Sequence, residues 1–463
     1  MLCIHSSNSD ATGVMHGLKW AHQRHKMRRK IDMSDLLTTE DERYAALFDV
    51  ANEARKIGNV VDVDLNLRMN ELRNQATVQK GSLIELLGMP PRPHMFTTER
   101  QGYTLFSFEA CEMAFRDVKT FSSHVWRESP GIMSLGPVIL RMDSPEHKAH
   151  RATIQPMFIQ PRTATWWRQN WIQEIVDTLL DQFKIGGRAE LNLQFCARVP
   201  MHTVARGIGI PSGNALDFRD HLLRSLDAVH GEKQNHSPEG QRASMQWISD
   251  TLTALVTRRR EEPGDDVVTG LIKATLAMPG EEPRPLTDQE ITAACKLVIL
   301  AGGGTTWRQL GILIWGLLTD YKQWEACRDD RSLIESAVDE SLRWNATDPI
   351  FPRLTTRDIE VDGVLIPEGS RVDICLGAAN RDPTRWDNPD QFDIFRPKQA
   401  HLGFAIGEHQ CLGMNVAKQE MIVSLNGLMD RFPNMHLDPD LPAPQLIGGL
   451  EQRGMSSIPV VFA

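Results

Sequence analysis

The sequence contains no uninterrupted apolar run of about 18 residues, the length that a membrane-spanning helix needs, and its first residues lack an apolar signal core. It also lacks an excess of basic residues, because 51 Lys and Arg stand against 60 Asp and Glu, which gives a net charge of -9. The first absence excludes a transmembrane segment and predicts a cytoplasmic protein. The second gives no reason to expect nucleic-acid binding.

Cysteine pairs are missing as well. The seven cysteines are odd in number, scattered along the chain and never spaced as C-x-x-C, so the sequence predicts neither a disulfide framework nor a zinc site. No Gly-x-Gly-x-x-Gly fingerprint follows a predicted strand, which argues against the usual dinucleotide-binding motif. The hydrophobic content of 41% is ordinary for a globular protein.

One cysteine nevertheless lies in a distinctive setting. Cys411 stands in the stretch Phe-Ala-Ile-Gly-Glu-His-Gln-Cys-Leu-Gly (404–413), and recurring apolar side chains predict a helix from Met414 to Leu428. The amides of a tight loop and the positive end of a helix both favour a thiolate over a thiol. The pattern makes Cys411 a candidate metal ligand. The plainer interpretation is a buried free cysteine at a strand-to-helix turn.

The pattern Phe-x-x-Gly-x-His-x-Cys-x-Gly resembles the haem-binding loop of the cytochrome P450 family. The resemblance implies the cytochrome P450 fold, which is mainly α with a smaller β-rich portion, and a haem b whose iron is bound by Cys411. It also implies that Phe404 packs beside the sulfur and that Gly407 and Gly413 allow backbone conformations that a side chain would disfavour. His409 would point away from the iron.

The resemblance runs from about residue 60 to the end, so we expect residues 33–463 to form a single haem-binding monooxygenase domain. Residues 1–32 are polar and become basic toward their end. A basic segment of this kind binds an anionic surface or is a disordered tail. We expect the tail, either as a dispensable extension or as a misplaced start before Met33.

Two short stretches predict β-structure outside the helices. Residues 103–108 alternate like a strand and predict a small N-terminal sheet. Residues 358–376 alternate into a hairpin, with turns at 361–363 and 367–369.

The longest predicted helix runs from Asp288 to Asp320 and is mostly apolar in its middle, so it should be buried on most sides. Thr287 and Glu290 form a capping-box pattern at its start. Three glycines, 302–304, lie at its centre, where they would cost about 3 kcal/mol relative to alanines. They predict either close packing against a neighbouring helix or a backbone that a flat cofactor and dioxygen approach.

The segment from Ala301 to Thr306 resembles the oxygen-binding groove of the same family. The resemblance places Ala301 and Gly302 against the cofactor and makes Thr305 the family's threonine. Gly304 stands where the family carries an acid that helps to relay protons. Either water, Thr306 or another chain would then supply the relay, or the enzyme would depend more on peroxide than its relatives do.

Basic side chains match the family positions that hold the haem propionates. His147 and Arg151 are four residues apart, so both fall on one face of a predicted helix and can grip one anion. The resemblance adds Arg353 and also His401, ten residues before the cysteine.

An acid and a base, Glu340 and Arg343, lie three residues apart on a helix predicted to begin near Ser332. Alone, such a pair is usually a weak surface contact. In the family, the same Glu-x-x-Arg pair joins an arginine of the following meander in a buried network, and Arg396 fits that partner. The resemblance implies that the three side chains hold the cysteine loop.

The residues expected to line the substrate pocket are apolar, which predicts a hydrophobic small molecule such as a terpenoid, steroid or aromatic compound. Beyond Ala301 and Gly302, this set consists of Val298, Ile350, Phe351, Val125, Trp126 and Met133.

Only 52 residues follow Cys411, too few for a flavin or iron-sulfur domain. The resemblance therefore implies electrons from separate proteins, a ferredoxin and an NAD(P)H-dependent ferredoxin reductase. Lys148, Lys398 and Lys418 are candidates to receive an acidic ferredoxin. We expect a monomer.

Together these features predict an oxidoreductase, a haem-thiolate monooxygenase that inserts one atom of its cosubstrate dioxygen into a C–H bond. One alternative is a peroxygenase driven by hydrogen peroxide, which Gly304 favours and Thr305 disfavours. The other is a non-catalytic, haem-binding sensor.

Overall fold

Helices account for most of the protein in the computed structural model, which describes residues 42–56, 64–89, 100–227 and 238–463. These residues belong to one compact unit, Thr38–Ala463, while the predicted extension at 1–32 lies outside the described residues. The α-helices are α1 (Arg43–Leu47), α2 (Val50–Lys56), α3 (Leu65–Gln75), α4 (Leu83–Leu86), α5 (Phe108–Arg116), α6 (Pro130–Ser134), α7 (Glu146–Ile154), α8 (Gln173–Leu180), α9 (Arg198–Ile208), α10 (Ala215–Asp227), α11 (Pro238–Glu261), α12 (Val267–Lys273), α13 (Asp288–Thr319), α14 (Tyr321–Asp329), α15 (Leu333–Trp344), α16 (Leu376–Ala379) and α17 (Met414–Arg431).

Shorter helical turns connect several of these helices. Among the described residues, two segments, Thr163–Ile172 and Asn192–Cys196, are π-helices and four short segments are 3₁₀-helices. The 3₁₀ segments are Ser123–Glu128, Ile139–Arg141, Gln155–Met157 and Ser212–Asn214.

The strands are short and form five separate sheets in the described part of the chain. They are β1 (Val78–Lys80), β2 (Gly102–Leu105), β3 (Phe121–Ser122), β4 (Arg188–Glu190), β5 (Thr275–Leu276), β6 (Arg284–Pro285), β7 (Phe351–Thr355), β8 (Ile359–Val361), β9 (Val364–Ile366), β10 (Arg371–Ile374), β11 (His436–Leu437), β12 (Leu446–Ile447), β13 (Gly454–Met455) and β14 (Pro459–Val461).

The largest sheet combines strands from both ends of the domain in the order β1-β2-β10-β7-β3. Strand β2 is antiparallel to β1 but parallel to β10, with Tyr103 opposite Val372. The predicted N-terminal sheet is therefore part of a larger sheet, in which β1, β2 and β3 come from the N-terminal half of the chain and β7 and β10 from the C-terminal half. In the region predicted as a hairpin, 358–376, strands β8 and β9 pair with each other as a hairpin. Strand β10 does not pair with them but belongs to the five-stranded sheet, where it pairs with β7.

Helix α13 passes through the middle of the fold and agrees with its sequence prediction to within one residue. Its capping box is complete, because Thr287 Oγ1 accepts from the Glu290 amide at 3.2 Å and Glu290 Oε2 accepts from the Thr287 amide at 2.8 Å. By length and composition α13 is the one helix among the described residues that could cross a membrane, but 67% of its apolar window is buried inside the protein. This is the burial expected of a core helix.

A buried histidine on α9 predicts acid sensitivity. His202 is fully buried, its Nε2 lies 2.7 Å from the Tyr44 hydroxyl, and burial, with Arg206 and Arg198 adding to it, lowers its pKa to about 3. Between pH 6.5 and that value the unfolded chain binds a proton that the folded protein does not, so the free energy of unfolding falls on acidification. The slope is about 1.4 kcal/mol per pH unit.

In urea unfolding between pH 6.5 and 5, the slope should be steeper in the wild type than in His202→Asn by about this amount. The same substitution at the less buried His436 is the control and should leave the slope unchanged. An equal slope in His202→Asn and the wild type would contradict the assignment.

Candidate active site

The Cys411 loop is a tight turn that leads directly into α17. The Cys411 amide donates to the Phe404 carbonyl at 3.0 Å, which closes the loop. Gly407 has φ +79°, and a Cβ there would lie 2.7 Å from the Phe115 carbonyl oxygen, so a side chain is excluded as the sequence predicted. Gly413, the N-cap of α17, has an ordinary φ of -82° and open space around it, so the prediction of a special backbone conformation was wrong there.

The side chain of Cys411 reaches solvent, whereas the other five cysteines of the described residues are buried. Protein still surrounds the sulfur closely enough that burial raises the pKa of the thiol, although the amides of Gly413 and Met414 and the charge of Arg151 act in the opposite direction. The loop and helix amides contribute as the sequence predicted. They do not outweigh desolvation, so the pKa of the free thiol stays above its usual value.

Ala405 is strained within this loop, because its φ of +50° lies in the left-handed region that disfavours a side chain. We expect Ala405→Gly to raise the free energy of unfolding by about 0.5 to 1 kcal/mol, since the relief of strain exceeds the entropy that glycine adds to the unfolded chain. Chemical denaturation checks this. The control is Ala326→Gly in α14, which should lower stability by about 1 kcal/mol, and a loss at both positions would contradict the expectation.

Basic and imidazole side chains converge beside the loop. The rings of His147 and His409 lie tilted against each other with centroids 3.9 Å apart, and His409 Nε2 lies 3.1 Å from Ser123 Oγ. Ligand atoms of His147, His409 and Glu408 all lie within 4.8 Å of one another. Arg151 Nη2 donates to the Gln410 carbonyl at 2.7 Å, so α7 contacts the cysteine loop directly.

Burial keeps both imidazoles neutral at pH 7. It lowers the pKa of His147 to about 4, assisted by Arg151, and that of His409 to about 2, assisted by Arg353. Burial also lowers the pKa of Arg353 to about 10, which leaves its guanidinium charged. The group therefore carries positive charge from Arg353 and uncharged ring nitrogens from the two histidines.

Two polar atoms of this group have no partner among the described residues. They are Nε2 of His147, which is fully buried, and Nε of Arg353, which is 4% exposed. Nδ1 of His147 lies 3.3 Å from Glu408 Oε1. Arg353 Nη1 donates only to the neighbouring Pro352 carbonyl. Buried polar atoms without a partner are uncommon and indicate a site for a group that the protein itself does not supply.

The structure brings His409 into this cluster but not His401. His401 Nε2 lies 3.9 Å from Asp339 Oδ1, and its Nδ1 accepts from the Gly403 amide at 3.1 Å. His409, which the sequence predicts to point away from the iron, lies against the ring of His147 instead. Its place two residues before Cys411 was the available signal.

Along α13, one face is open while the rest is packed. Ala294, Leu297 and Thr305 are half-buried and Ala301 is exposed, and their spacing puts them on a single helix face, which we call the open strip. The Thr305 hydroxyl donates to the Ala301 carbonyl at 2.9 Å.

The two threonines at the end of the groove differ in their surroundings. Thr306 is 5% exposed and lies outside the open strip. Of the two predicted catalytic threonines, only Thr305 therefore faces open space.

The glycines of α13 are explained largely by helix packing, one of the two interpretations that the sequence left open. A Cβ on Gly302 would lie 2.7 Å from Val204 Cγ2, and one on Gly303 would lie 3.3 Å from Met201 Sδ. Both neighbours are on α9, which crosses α13 at this point. The space beside Gly304 is larger, because a Cβ there would lie 3.4 Å from its nearest neighbour, Gln452 Oε1.

The predicted pocket residues do not all have surface available to a substrate. Val125 is fully buried, and Val298 and Ile350 are 8% and 7% exposed, so these three belong to the core. Met133 is 43% exposed, Trp126 and Phe351 are half-buried, and Ala301 and Gly302 are partly open.

Sequence reasoning missed Leu297 and Leu300, which are more open than Val298 and pack on an apolar cluster formed by Ile132, Leu135, Val138 and Ala293. Helical spacing from Thr305 would have indicated Leu297, because seven to eight residues make two turns of helix.

Glu340 and Arg343 form a buried bidentate pair on α15, with N···O distances of 2.7 and 2.8 Å. Arg396 Nε lies 3.4 Å from Glu340 Oε1, so all three side chains meet as expected from the sequence. Arg343 Nη1 donates to the Asn380 carbonyl at 3.0 Å, and Asn380 Oδ1 accepts from the Leu402 amide at 2.7 Å. The network thus reaches the residues that begin the cysteine loop.

The three predicted docking lysines differ in availability. Lys148 is 71% exposed and its Nζ lies 3.5 Å from Glu408 Oε2, and Lys398 is also exposed. Lys418 is only 30% exposed, with Nζ 2.6 Å from Asp339 Oδ1, so it is held within the protein surface.

Comparison with known proteins agrees with this arrangement. A family model described as Cytochrome P450 matches residues 233–445. The chain is 34% identical to the vitamin D3 dihydroxylase of Streptomyces griseolus over 343 residues, which are 73% of this chain and 78% of the relative. It is 31% identical to cytochrome P450 107B1 of Saccharopolyspora erythraea over 331 residues, 70% of this chain and 77% of the relative.

Solved structures show the same fold. The crystal structure of P450BioI in complex with an acyl carrier protein ligated to hexadec-9Z-enoic acid has a TM-score of 0.73 at 24% identity, covering 86% of this chain and 99% of that one. Cytochrome P450 TbtJ1 has a TM-score of 0.72 at 27% identity, covering 86% and 97%. The chain belongs to the cytochrome P450 family and is a haem-binding oxidoreductase of the monooxygenase type.

Proposed function

We propose that this cytochrome P450 holds a haem b between the open strip of α13 and the Cys411 loop and hydroxylates a hydrophobic small molecule. The observation that carries the proposal is the buried donor Nε of Arg353, together with Nε2 of His147, neither of which has a partner among the described residues, in the cluster beside the loop of a solvent-accessible thiol. Such donors fit the carboxylates of haem propionates. The thiol fits the iron. The residues present therefore suit the group that the family implies.

Each residue has a defined task in this proposal. When bound, the haem supplies the activation of dioxygen and the oxidation itself. Cys411 provides the thiolate, and Arg151 with the amides of Gly413 and Met414 stabilises its negative charge. Thr305 Oγ1, now bonded to the Ala301 carbonyl, holds or passes a proton to water on the open strip.

Other residues position the cofactor. His147, Arg353 and His409 would hold the propionates, and His401 would not take part in this role. Ala301 and Gly302 would lie against the ring, with Gly302 kept small chiefly by Val204 on α9. Phe404 supports the loop through its carbonyl.

For the substrate, we propose a bulky terpenoid, steroid or aromatic compound. The surfaces beside the open strip are apolar, since Leu297, Leu300 and Trp126 pack there against the cluster around Leu135. The relative at 34% identity is named for vitamin D3, which favours placing steroid-like compounds first in a substrate panel.

We further propose that a separate ferredoxin and an NAD(P)H-dependent ferredoxin reductase supply the electrons. The exposed Lys148 and Lys398 support a docking surface for an acidic partner, whereas Lys418 contributes less because Asp339 engages it. We propose a cytoplasmic monomer with one domain at 33–463 and a dispensable segment at 1–32.

The proposal is tested by the optical spectrum of the purified protein, first ferric and then reduced with dithionite under carbon monoxide. A thiolate-type Soret position is expected, and compounds from a panel of terpenes, steroids and aromatic ethers that displace water from the ferric iron would identify the substrate class. A spectrum of the histidine-ligated type, or no bound haem, would contradict the proposal.

One observation favours a second candidate, a peroxygenase driven by hydrogen peroxide: Gly304 leaves the groove without its acid. Product formed with peroxide alone, compared with product formed with ferredoxin, reductase and NADPH, separates the two. We expect the redox partners to support the faster turnover, because Thr305 is retained on the open strip. Faster turnover with peroxide alone would favour the peroxygenase.

A further inference from the structure

Helices α1 and α2 form a strap at residues 43–56 that covers buried cations behind α13. The Tyr44 ring lies 3.7 Å from the guanidinium carbon of Arg198, and the Phe48 ring lies 4.2 Å from that of Arg219. Phe48 also meets Trp307 of α13 edge-on, with centroids 5.5 Å apart. Contacts between cations and aromatic faces are attractive, so these rings hold the strap against α9, α10 and α13.

An acid on this strap connects two of the buried cations. Glu53 Oε1 accepts from Arg219 Nη2 at 2.7 Å, and Glu53 Oε2 accepts from Arg308 Nη2. The side chains of Arg219 and Arg308 are 5% and 0% exposed, whereas that of Glu53 is 21% exposed. Glu53 therefore brings negative charge from the edge of the protein to two guanidiniums inside it.

Arg308 lies one helical turn after Gly304 and acts on the groove directly. Its Nη1 donates to the Gly304 carbonyl, while Nη2 is held by Glu53. An acid at position 304 would lie four residues before Arg308 on the same helix face, where the two side chains could pair. In this chain the partner of Arg308 comes from the strap instead.

Position 304 has room for such an acid. A Cβ on Gly304 would be 3.4 Å from Gln452 Oε1 and 3.6 Å from Gln452 Nε2, which are ordinary contact distances. Gln452 Nε2 is also a donor that a carboxylate could use. Steric crowding therefore does not require a glycine at this point of α13. The carboxylate can be moved experimentally from position 53 to position 304.

We propose that Glu53 is a positioning residue that replaces, from the strap, the acid missing at Gly304. It holds Arg308 on the Gly304 carbonyl and thereby fixes the turn of α13 that carries Thr305. The functional part of this inference rests on the proposed function, because it concerns the groove beside the haem. The contact itself can be tested whether or not haem is bound.

The test is Glu53→Gln, which keeps the shape of the side chain but removes its charge. Hydrogen exchange of the peptide covering residues 301–309 should become several-fold faster, because Arg308 is released from the Gly304 carbonyl. With a plant ferredoxin, its reductase, NADPH and vitamin D3 as the probe, more hydrogen peroxide should be released per NADPH oxidised. The matched control is Glu42→Gln, the same change at the exposed residue just before α1, which should alter neither quantity.

The deciding variant is the double substitution Glu53→Gln with Gly304→Asp, which moves the acid to the family position. Exchange at 301–309 and peroxide release should both return toward wild-type values. The inference is overturned if Glu53→Gln changes neither quantity, or if Gly304→Asp restores neither. If Glu53→Gln does not accumulate as folded protein, recovery of folded, slowly exchanging protein in the double variant supports the inference, and continued failure overturns it.

The reduced carbon-monoxide spectrum of each variant separates this inference from the proposed function. Its thiolate-type position should be the same in every folded variant. If the wild type lacks that spectrum, only the proposed function is overturned. The hydrogen-exchange experiment still tests the contact between Glu53 and Arg308, because it does not require bound haem.

Discussion

Replacing Cys411 by serine is expected to abolish both the thiolate-type absorption of the reduced carbon-monoxide complex and all oxidation supported by NADPH. A serine hydroxyl is not ionised at neutral pH and is a poor ligand for haem iron, whereas the sulfur here lies near Arg151 and the amides at the start of α17. The measurement is the difference spectrum, with product formation followed in parallel.

The matched control for this experiment is Cys327→Ala, which removes a buried thiol from α14, outside the cysteine loop. It should keep the spectrum of the wild type and lose only some stability. A thiolate-type spectrum that persisted in Cys411→Ser would show that another group binds the iron. The assignment of the loop would then have to be abandoned.

Glu340→Gln is expected to lower the free energy of unfolding by about 3 to 5 kcal/mol, because two buried guanidiniums lose the carboxylate that they share. The side chains of Arg343 and Arg396 are 3% and 10% exposed, so water cannot readily replace it. Backbone carbonyls at 380, 389 and 391 still accept from Arg343 and leave part of its charge solvated by protein. Urea unfolding measures the loss.

Glu335→Gln is the control for Glu340→Gln, since Glu335 lies on the same helix but is exposed. It should change stability by less than about 1 kcal/mol. In Glu340→Gln we also expect less haem bound per protein, because the network reaches Leu402 through Asn380. Equal losses of stability in the two variants would contradict a buried network.

The elements that the sequence predicted well are those whose signals are local. Thr287 and Glu290 form the capping box that marks the start of α13. Its long apolar middle distinguishes it from the amphipathic helices around it. The partners of β2 could not be predicted in the same way. Its four residues are buried and pair with β10, and strand pairing at long range depends on the packing of the whole domain.

For the site, short motifs located the Cys411 loop and the Glu340 network. A fixed spacing of residues on a helix or loop determines the relative directions of their side chains, so these motifs can be interpreted without the rest of the fold. On α13 the sequence interpretation assigned the buried Val298 to the pocket, although helical spacing from Thr305 indicates its neighbour Leu297. Nothing near Glu53 in the sequence indicates Arg308, since that contact is created only when α2 packs against α13.

The mixed sheet has a consequence for the synthesis of the protein. Strand β2 pairs on one side with β1, its neighbour in the chain, and on the other with β10, where Tyr103 lies opposite Val372. At about 5–20 residues per second, the ribosome needs roughly 15 to 55 s to proceed from one to the other. During that interval the apolar side chains of β2 belong to a two-stranded ribbon, which is at best marginally stable. The growing chain therefore needs protection from aggregation until β10 emerges, and conditions that slow translation between these strands should lower the yield of soluble protein.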